Sequence, residues 1–334
     1  MYTEHMRIDP AYWERLRACD LDSVAKILAR TDGRVAAWSR TTDTLHVPGA
    51  DDTPGFYVKR HFFSRWINRL RGTFRGTFFG MHRGQAEYLA LNAMRSAGVT
   101  AVRPVAYGGR RIAHFLTACF LITEEVPEAP NLTTLGLDLA AGHAQLSATQ
   151  RRMWIRGLAT QLAEMHALGV SHGNLFWRNV LVRSGPDGHP EFFFLDAQPL
   201  HTWERFGAGA GWWLRELAQV AVSAVPFTSR SERLRFVRQY LGQARLTLDT
   251  PRVAAGERLR QGLTPAMKLQ IRQVEHLAQS WRRHEQRRIR MNGLFEQWNR
   301  QLAKEEQRAL SLDSGCCQSL TGRDARPTIA EPHA

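Results

Sequence analysis

Residues 172–179 read HGNLFWRN and residues 195–198 read LDAQ. Ahead of the first stretch, Met153, Leu158, Leu162, Met165 and Leu168 recur at helical spacing, so a long helix over 148–168 delivers the chain to His172. Behind it come VLV, the turn SGPDGHP and the apolar run EFFFLD, which together read as two short strands joined by a turn. A carboxylate that closes an apolar strand needs compensation, and a cation supplies it. Asp196 is therefore the first candidate metal ligand. Asn179, five residues after Asn174, offers an amide oxygen as the second. His172 reads as a buried histidine bonded to backbone, with an architectural role.

Upstream, the chain writes its positive charge almost wholly as arginine. Of 45 basic residues only Lys26, Lys59, Lys268 and Lys304 are lysines, and Lys59 alone lies between positions 27 and 267. It falls in GFYVKRH, the third of three alternating runs after RVAAWSR and TLHV, which read as antiparallel strands joined by turns. The stretch GQAEYLALNAMRSA over 84–97 reads as a helix ended by Gly98, and it carries Glu87. An isolated lysine on an edge strand can serve against aggregation, and a helix-surface glutamate is commonplace. The pairing of Lys59 with Glu87 is what gives both a role.

The 334 residues allow two domains or one bilobed unit at about 100–200 residues per domain. With 43% hydrophobic and 10% aromatic residues the chain folds rather than staying disordered. No apolar run approaches the ~18 residues of a membrane span, and the first residues lack a signal-peptide core. Four cysteines, Cys19, Cys119, Cys316 and Cys317, form neither a disulfide framework nor a zinc site, which points to the reducing cytoplasm. The net charge of +14 calls for an anionic partner. Nucleic acid is the unfavoured one, because no reader module is present. Between Pro54 and Ala86 no acidic residue occurs, and arginines alternate with aromatics, a candidate surface for phosphates or anionic lipid.

The remaining pattern gives an amphipathic helix over 10–30, strands at 103–108 and 115–126, a helix at 131–142, and almost continuous helix after Ala208. The expected fold is α+β and bilobed. It has an N-terminal accessory helix in 1–33, a small antiparallel-sheet lobe over 34–126 with a basic segment at 60–83, and a mainly helical lobe over 127–245. An Arg-rich helical extension over 246–309 and a disordered tail over 310–334 complete it. The cluster Arg282, Arg283, Arg287, Arg288 and Arg290 reads as a solvated helix face, and Trp177, Trp212 and Trp213 as core.

The order of these parts matches protein kinases. His172 to Asn179 stand in the register H-R-D-L-x-x-x-N of the kinase catalytic loop, and Asp196, seventeen residues beyond Asn179, stands where kinases keep the Asp of D-F-G. Phosphoryl transfer passes through a loose transition state, so the protein chiefly positions groups and neutralises charge. Lys59 held by Glu87 can grip phosphates, and Asp196 with Asn179 can hold magnesium. The runs FYVKRHFFSRW, RGTFRGTFFGMHRGQAEYLALNAMRSAGVTAVRPVAYG, FLITEEVPEAPNL and HGNLFWRNVL resemble the lipopolysaccharide core kinases of the Kdo/WaaP group, over roughly residues 34 to 245. The resemblance implies a bilobed protein-kinase-like fold, ATP and Mg2+ as cofactors, and a Kdo or heptose sugar of an anionic glycolipid as acceptor. It also implies a cytoplasmic enzyme peripheral to the inner face of the inner membrane. It makes Lys59 the phosphate lysine, Glu87 its partner, Glu124, Glu125 and Val126 the hinge beside adenine, and Asp196 the metal ligand. Glu216, in WWLRELA, stands where kinase-like proteins place an acid that supports the catalytic loop.

The departures are specific. Asn174 occupies the position of the catalytic Asp, and an amide does not take the proton of a substrate hydroxyl; losing a general base costs ~10²- to 10⁴-fold. No G-x-G-x-x-G lies between the first strands, as is also true of the resembling family. Three readings stay open: a sugar kinase working through Asn174 and Lys59, a pseudokinase that binds or regulates, and a kinase-like enzyme with another acceptor.

Overall fold

The computed structural model describes residues 2–39, 41–63, 78, 80–198, 212–248 and 265–313. Six antiparallel strands, β1 (Tyr2–Ile8), β2 (Arg34–Ser39), β3 (Thr42–Val47), β4 (Phe56–Phe62), β5 (Pro104–Ile112) and β6 (Phe115–Glu124), form one sheet in the order β1-β5-β6-β4-β3-β2. The two faces of β4 separate two functions. Phe56, Val58 and Arg60 point to one face, and Tyr57, Lys59 and His61 to the other, as the two-residue period of a strand requires. The first face meets a core of Tyr12, Leu16, Leu21, Val24 and Ile27. Against the second lies helix α3 (Arg83–Ser96), whose buried residues Glu87, Ala90, Leu91 and Met94 recur at helical spacing. A Cβ at Gly84 would collide with the carbonyl of Phe120, so glycine permits the close approach of α3 to β6.

The N-terminal segment differs from the single helix expected. Residues 2–8 form the edge strand β1, paired with β5 from Tyr2↔Ile112 to Ile8↔Ala106. Its side chains are largely exposed, so it lacks the apolar alternation that announces a strand. A 3-10 turn (Pro10–Tyr12) and two short helices, α1 (Trp13–Ala18) and α2 (Val24–Ala29), follow. Between them Asp20 takes φ +55 and Leu21 N donates to Leu16 O at 2.8 Å, the left-handed helix stop that packs Leu16 on Leu21. The mixed apolar spacing of this stretch reflected that break.

The C-terminal part is helical around one hairpin: α4 (Leu132–Ala140), α5 (Ala148–Ala167), β7 (Val180–Ser184), β8 (Pro190–Phe194), α6 (Trp212–Ala224), α7 (Arg230–Leu248) and α8 (Pro265–Asp313). Ser147 and Gln150 close a capping box at the start of α5. The large core joins α3, α5, the hairpin, α6 and α7 through Leu91, Leu162, Phe194, Leu217 and Tyr240. Phe194 ties the two parts together through its backbone, its O accepting from Val102 N at 3.0 Å and its N donating to Thr100 O at 3.2 Å. Trp177 stacks on Phe227 and Trp213 on Tyr240, as core residues do.

The chain divides into two compact units, residues 1–292 and 293–334. Everything above lies in the first except the last turns of α8, residues 293–313, where Phe295 and Trp298 lie with ring centres 5.6 Å apart. Of the basic segment 60–83, residues 64–77 and 79 lie outside the described residues, as do 249–264 of the Arg-rich extension and 314–334 of the tail. Arg60 is corrected: it is 5% exposed, doubly bonded to Asp43 at 2.8 and 2.7 Å, and donates to the carbonyls of Ile27 and Arg30. It points to the α2 face of the sheet and joins the fold, not an anion-binding surface. Arg282, Arg283, Arg287, Arg288 and Arg290 are exposed, as the solvated face requires.

Candidate active site

Lys59 on β4, Glu87 on α3 and Asp196 after β8 meet at one point. Lys59 Nζ donates to Glu87 Oε2 at 2.8 Å and makes a second ion pair with Asp196 Oδ1. Burial disfavours the ammonium, yet the two carboxylates more than offset it and hold Lys59 above its ordinary pKa. Burial pushes Glu87 upward against the pull of Lys59, whereas Asp196, penalised by the same burial, is held below the usual carboxylate range by Lys59. Asp196 takes φ +58, a left-handed conformation that a short polar side chain tolerates, and this ends the strand at the carboxylate.

The loop before β7 supplies the rest. Asn174 Nδ2 donates to Asp196 Oδ2 at 2.6 Å. Asn179, 4% exposed in the 3-10 turn Trp177–Asn179, donates from Nδ2 to Asn174 O at 2.8 Å, with Asp196 Oδ2 3.5 Å away. All five residues singled out in the sequence for phosphate and metal chemistry thus share one cluster. His172 is fully buried; its Nε2 donates to Leu195 O at 3.0 Å and its Nδ1 accepts from Asn174 N at 3.2 Å. Burial lowers its pKa, so the ring stays neutral in the tautomer those two bonds require.

Beneath the loop, α6 supplies acceptors to its backbone. Glu216 Oε1 accepts from Ser171 Oγ and Gly173 N, both at 2.6 Å, and Oε2 lies 3.0 Å from His166 Nε2. Burial alone would raise the Glu216 pKa, but these partners, His166 foremost, bring it below the ordinary value. Gln219 Oε1 accepts from Leu175 N at 2.6 Å. The supporting role given to Glu216 by the sequence has its geometry here. Gln219 and Ser171 were missed, although Gln219 lies one helical turn beyond Glu216 on the same face.

The hinge residues behave differently. Glu124 accepts from Tyr12 Oη at 2.7 Å and from Arg15 Nη1 at 2.6 Å, and Glu125 accepts from Gly55 N at 2.9 Å. Their own N–H groups donate to Arg103 O and Gly55 O. Both carboxylates are spent on the fold, so they do not join the Lys59 cluster. Val126 packs against the large core.

A profile of the lipopolysaccharide kinase (Kdo/WaaP) family matches residues 25–240, more than half of the chain. The chain belongs to that family. Over 191 residues it is 25% identical to the lipopolysaccharide core heptose(I) kinase WaaP of Pseudomonas aeruginosa, covering 57% of this chain and 70% of that protein. Over 208 residues it is 26% identical to a 3-deoxy-D-manno-octulosonic acid kinase of Vibrio vulnificus, covering 61% and 72%. The solved structure of WaaP in complex with acyl carrier protein superposes with a TM-score of 0.51 at 21% identity, covering 82% of this chain and 99% of that one. The fold is protein-kinase-like, with an antiparallel-sheet N-terminal part and a helical C-terminal part. Kdo/WaaP members are sugar kinases, which implies ATP as the phosphoryl donor. Among the described residues no helix is long and apolar enough to cross a membrane.

Proposed function

We propose that this Kdo/WaaP chain is an ATP- and magnesium-dependent kinase that phosphorylates a hydroxyl of a Kdo or heptose sugar in the lipopolysaccharide core. The convergence of Lys59, Glu87, Asp196, Asn174 and Asn179 from four separate parts of the chain carries this reading. The donor set suits magnesium. One anionic carboxylate, Asp196, stands beside one amide, Asn179, and magnesium takes one or two protein oxygens while phosphates and water fill the rest of its shell. When bound, the ion would neutralise charge on the transferring group.

Lys59, oriented by Glu87, binds donor phosphate oxygens between the sheet lobe, 34–126, and the helical lobe, 127–245. Val126 and the backbone of the hinge border the base. Asn174 directs its amide nitrogen at Asp196, which leaves its Oδ1 to accept a hydrogen bond from the acceptor hydroxyl. It orients the hydroxyl without removing the proton; in a loose transition state that proton leaves late, to an oxygen of the transferred phosphoryl group or to water, so transfer proceeds slowly rather than not at all. The charge of +14 favours an anionic glycolipid at the cytoplasmic face of the inner membrane.

One observation favours a second reading, a nucleotide-binding pseudokinase: the group at the catalytic position donates a hydrogen bond to the metal carboxylate, where an Asp could only accept. The test is transfer of labelled γ-phosphate from ATP to core glycolipid isolated from the protein's own host. The wild type should label the glycolipid, and Lys59→Ala and Asp196→Ala should not. Full labelling by both variants rejects the kinase, and magnesium-dependent ATP binding without labelling transfers the function to the second reading.

A further inference from the structure

The loop that carries Asn174 and Asn179 has a second support, and it comes from outside the segment that matches the family. Arg178, directly before Asn179, donates from Nη1 to Glu285 Oε2 on α8 at 2.6 Å. Glu285 is 1% exposed, and its other oxygen accepts from Ser223 Oγ on α6 at 2.9 Å. The Arg178 guanidinium also lies 4.2 Å from the centre of the Phe176 ring, and Phe176 meets Trp281 of α8 edge to face at 6.2 Å. Phe176, Ala218, Val222 and Ala278 form a small separate core, with Val274, Leu277 and Trp281 packed on it. The carboxylate therefore sits on the apolar face of α8, among arginines that are otherwise exposed. The family profile stops at residue 240, and α8 begins at Pro265.

We propose that Glu285 is a positioning residue for phosphoryl transfer, holding Arg178 so that Asn174 and Asn179 keep their places beside Asp196, and that α8 is thereby a working part of the catalytic apparatus. A half-buried guanidinium compensates a fully buried carboxylate, which alone would be an uncompensated charge. Asn179 is the residue next to Arg178, and its amide bonds both to Asn174 O and towards Asp196, so a shift of Arg178 reaches both loop amides. Misplacement by about 1 Å far from the chemistry can cost ~10²-fold in rate. The apolar stripe Val274, Ala278, Trp281 and Ile289 runs through Glu285 at helical spacing, which is how the sequence marks it as an inward-facing acid.

This inference rests on the kinase reading for its rate effect but not for its binding effect. The test compares wild type, Glu285→Gln and the double variant Arg178→Met with Glu285→Leu in the full-length chain. The double variant removes the pair while leaving an apolar contact, a replacement that usually preserves or raises stability. Three readouts are taken: the thermal midpoint, kcat and KM for transfer to core glycolipid, and ATP affinity with and without Mg2+. The expected result is a ~10- to 100-fold fall in kcat, with ATP affinity in the absence of Mg2+ unchanged. Loss of the magnesium-dependent part of ATP affinity should accompany it in the double variant, even where that variant melts no lower than wild type. If the wild type transfers no phosphate, the kinase reading fails and the magnesium-dependent affinity alone decides the role of Glu285. A double variant with wild-type magnesium dependence, and wild-type kcat where the wild type is active, overturns the proposal and leaves the pair a purely structural one. Should Glu285→Gln fail to fold, the double variant carries the comparison.

Discussion

Asn174 is the residue at which this chain departs most from a working kinase, and its contact gives the departure a sign. Its amide donates to Asp196 Oδ2 at 2.6 Å, so Asn174→Asp would set two carboxylates against each other until a cation separates them. The expected outcome is a protein less stable without magnesium and restored by it, with transfer to core glycolipid raised by up to ~10²- to 10⁴-fold if the missing base limits the rate. Thermal midpoints with and without Mg2+, together with turnover, check this; an unchanged rate would show that proton removal does not limit the reaction. At this scale the sequence was legible where a residue was conspicuous. Lys59 stood out as one lysine among arginines, and Asp196 as an acid closing an apolar strand. Glu285 was not legible as a lone letter, because an acid within a run of arginines reads as solvated until the apolar stripe through it is traced. Arg60 was misread for the same kind of reason: charge was visible, but which face of β4 it occupies depended on register.

Among the elements, α3 carries Glu87, and its start is held by a histidine. His82 caps α3 by accepting at Nδ1 from Gln85 N at 3.2 Å, so its Nε2 carries the hydrogen in the 2.9 Å bond to His5 Nε2 on β1. Burial, reinforced by His5 and Arg111, brings the His82 pKa down to about 3, and burial with Lys59 and Arg83 brings His61 down to about 3 as well. The unfolded chain binds these protons near pH 6.5 and the folded chain refuses them. Stability is therefore complete above about pH 6.5 and falls as pH drops towards 3. At pH 5 the difference is on the order of 2 kcal/mol per histidine. His82→Asn keeps a good cap without the titration, so its loss of stability between pH 7 and pH 5 should be the smaller; His82→Ala should cost about 1 kcal/mol at pH 7. Urea midpoints across that range check both, and parallel pH profiles for wild type and His82→Asn would contradict the account. β2 to β4, α3, β6, α5 and the β7–β8 hairpin were legible from periodicity and turns. β1 was not, because it is held by backbone pairing with its side chains mostly in water, and the α1–α2 break lay in a left-handed Asp20 that no composition announces.

Across the whole molecule, the excess of positive charge divides into two uses. Arg15, Arg60, Arg151 and Arg178 are engaged by Glu124, Asp43, Glu232 and Glu285, so they brace the fold, while the arginines of α8 between 282 and 290 face solvent. A net charge read from composition does not distinguish these uses, which is why it pointed to an anionic partner without locating a surface. The bilobed order was legible because it follows from a linear sequence of element types. The reach of α8 back to the catalytic loop was not, since it depends on packing between segments more than one hundred residues apart. What unites the scales is the proposal that a lysine from the sheet and an aspartate from the helical part grip the same magnesium nucleotide. Measuring ATP affinity against Mg2+ concentration in wild type and Asp196→Ala tests this most directly. The account predicts that magnesium strengthens ATP binding to the wild type and leaves Asp196→Ala unaffected; a variant that retains the full magnesium dependence would contradict it.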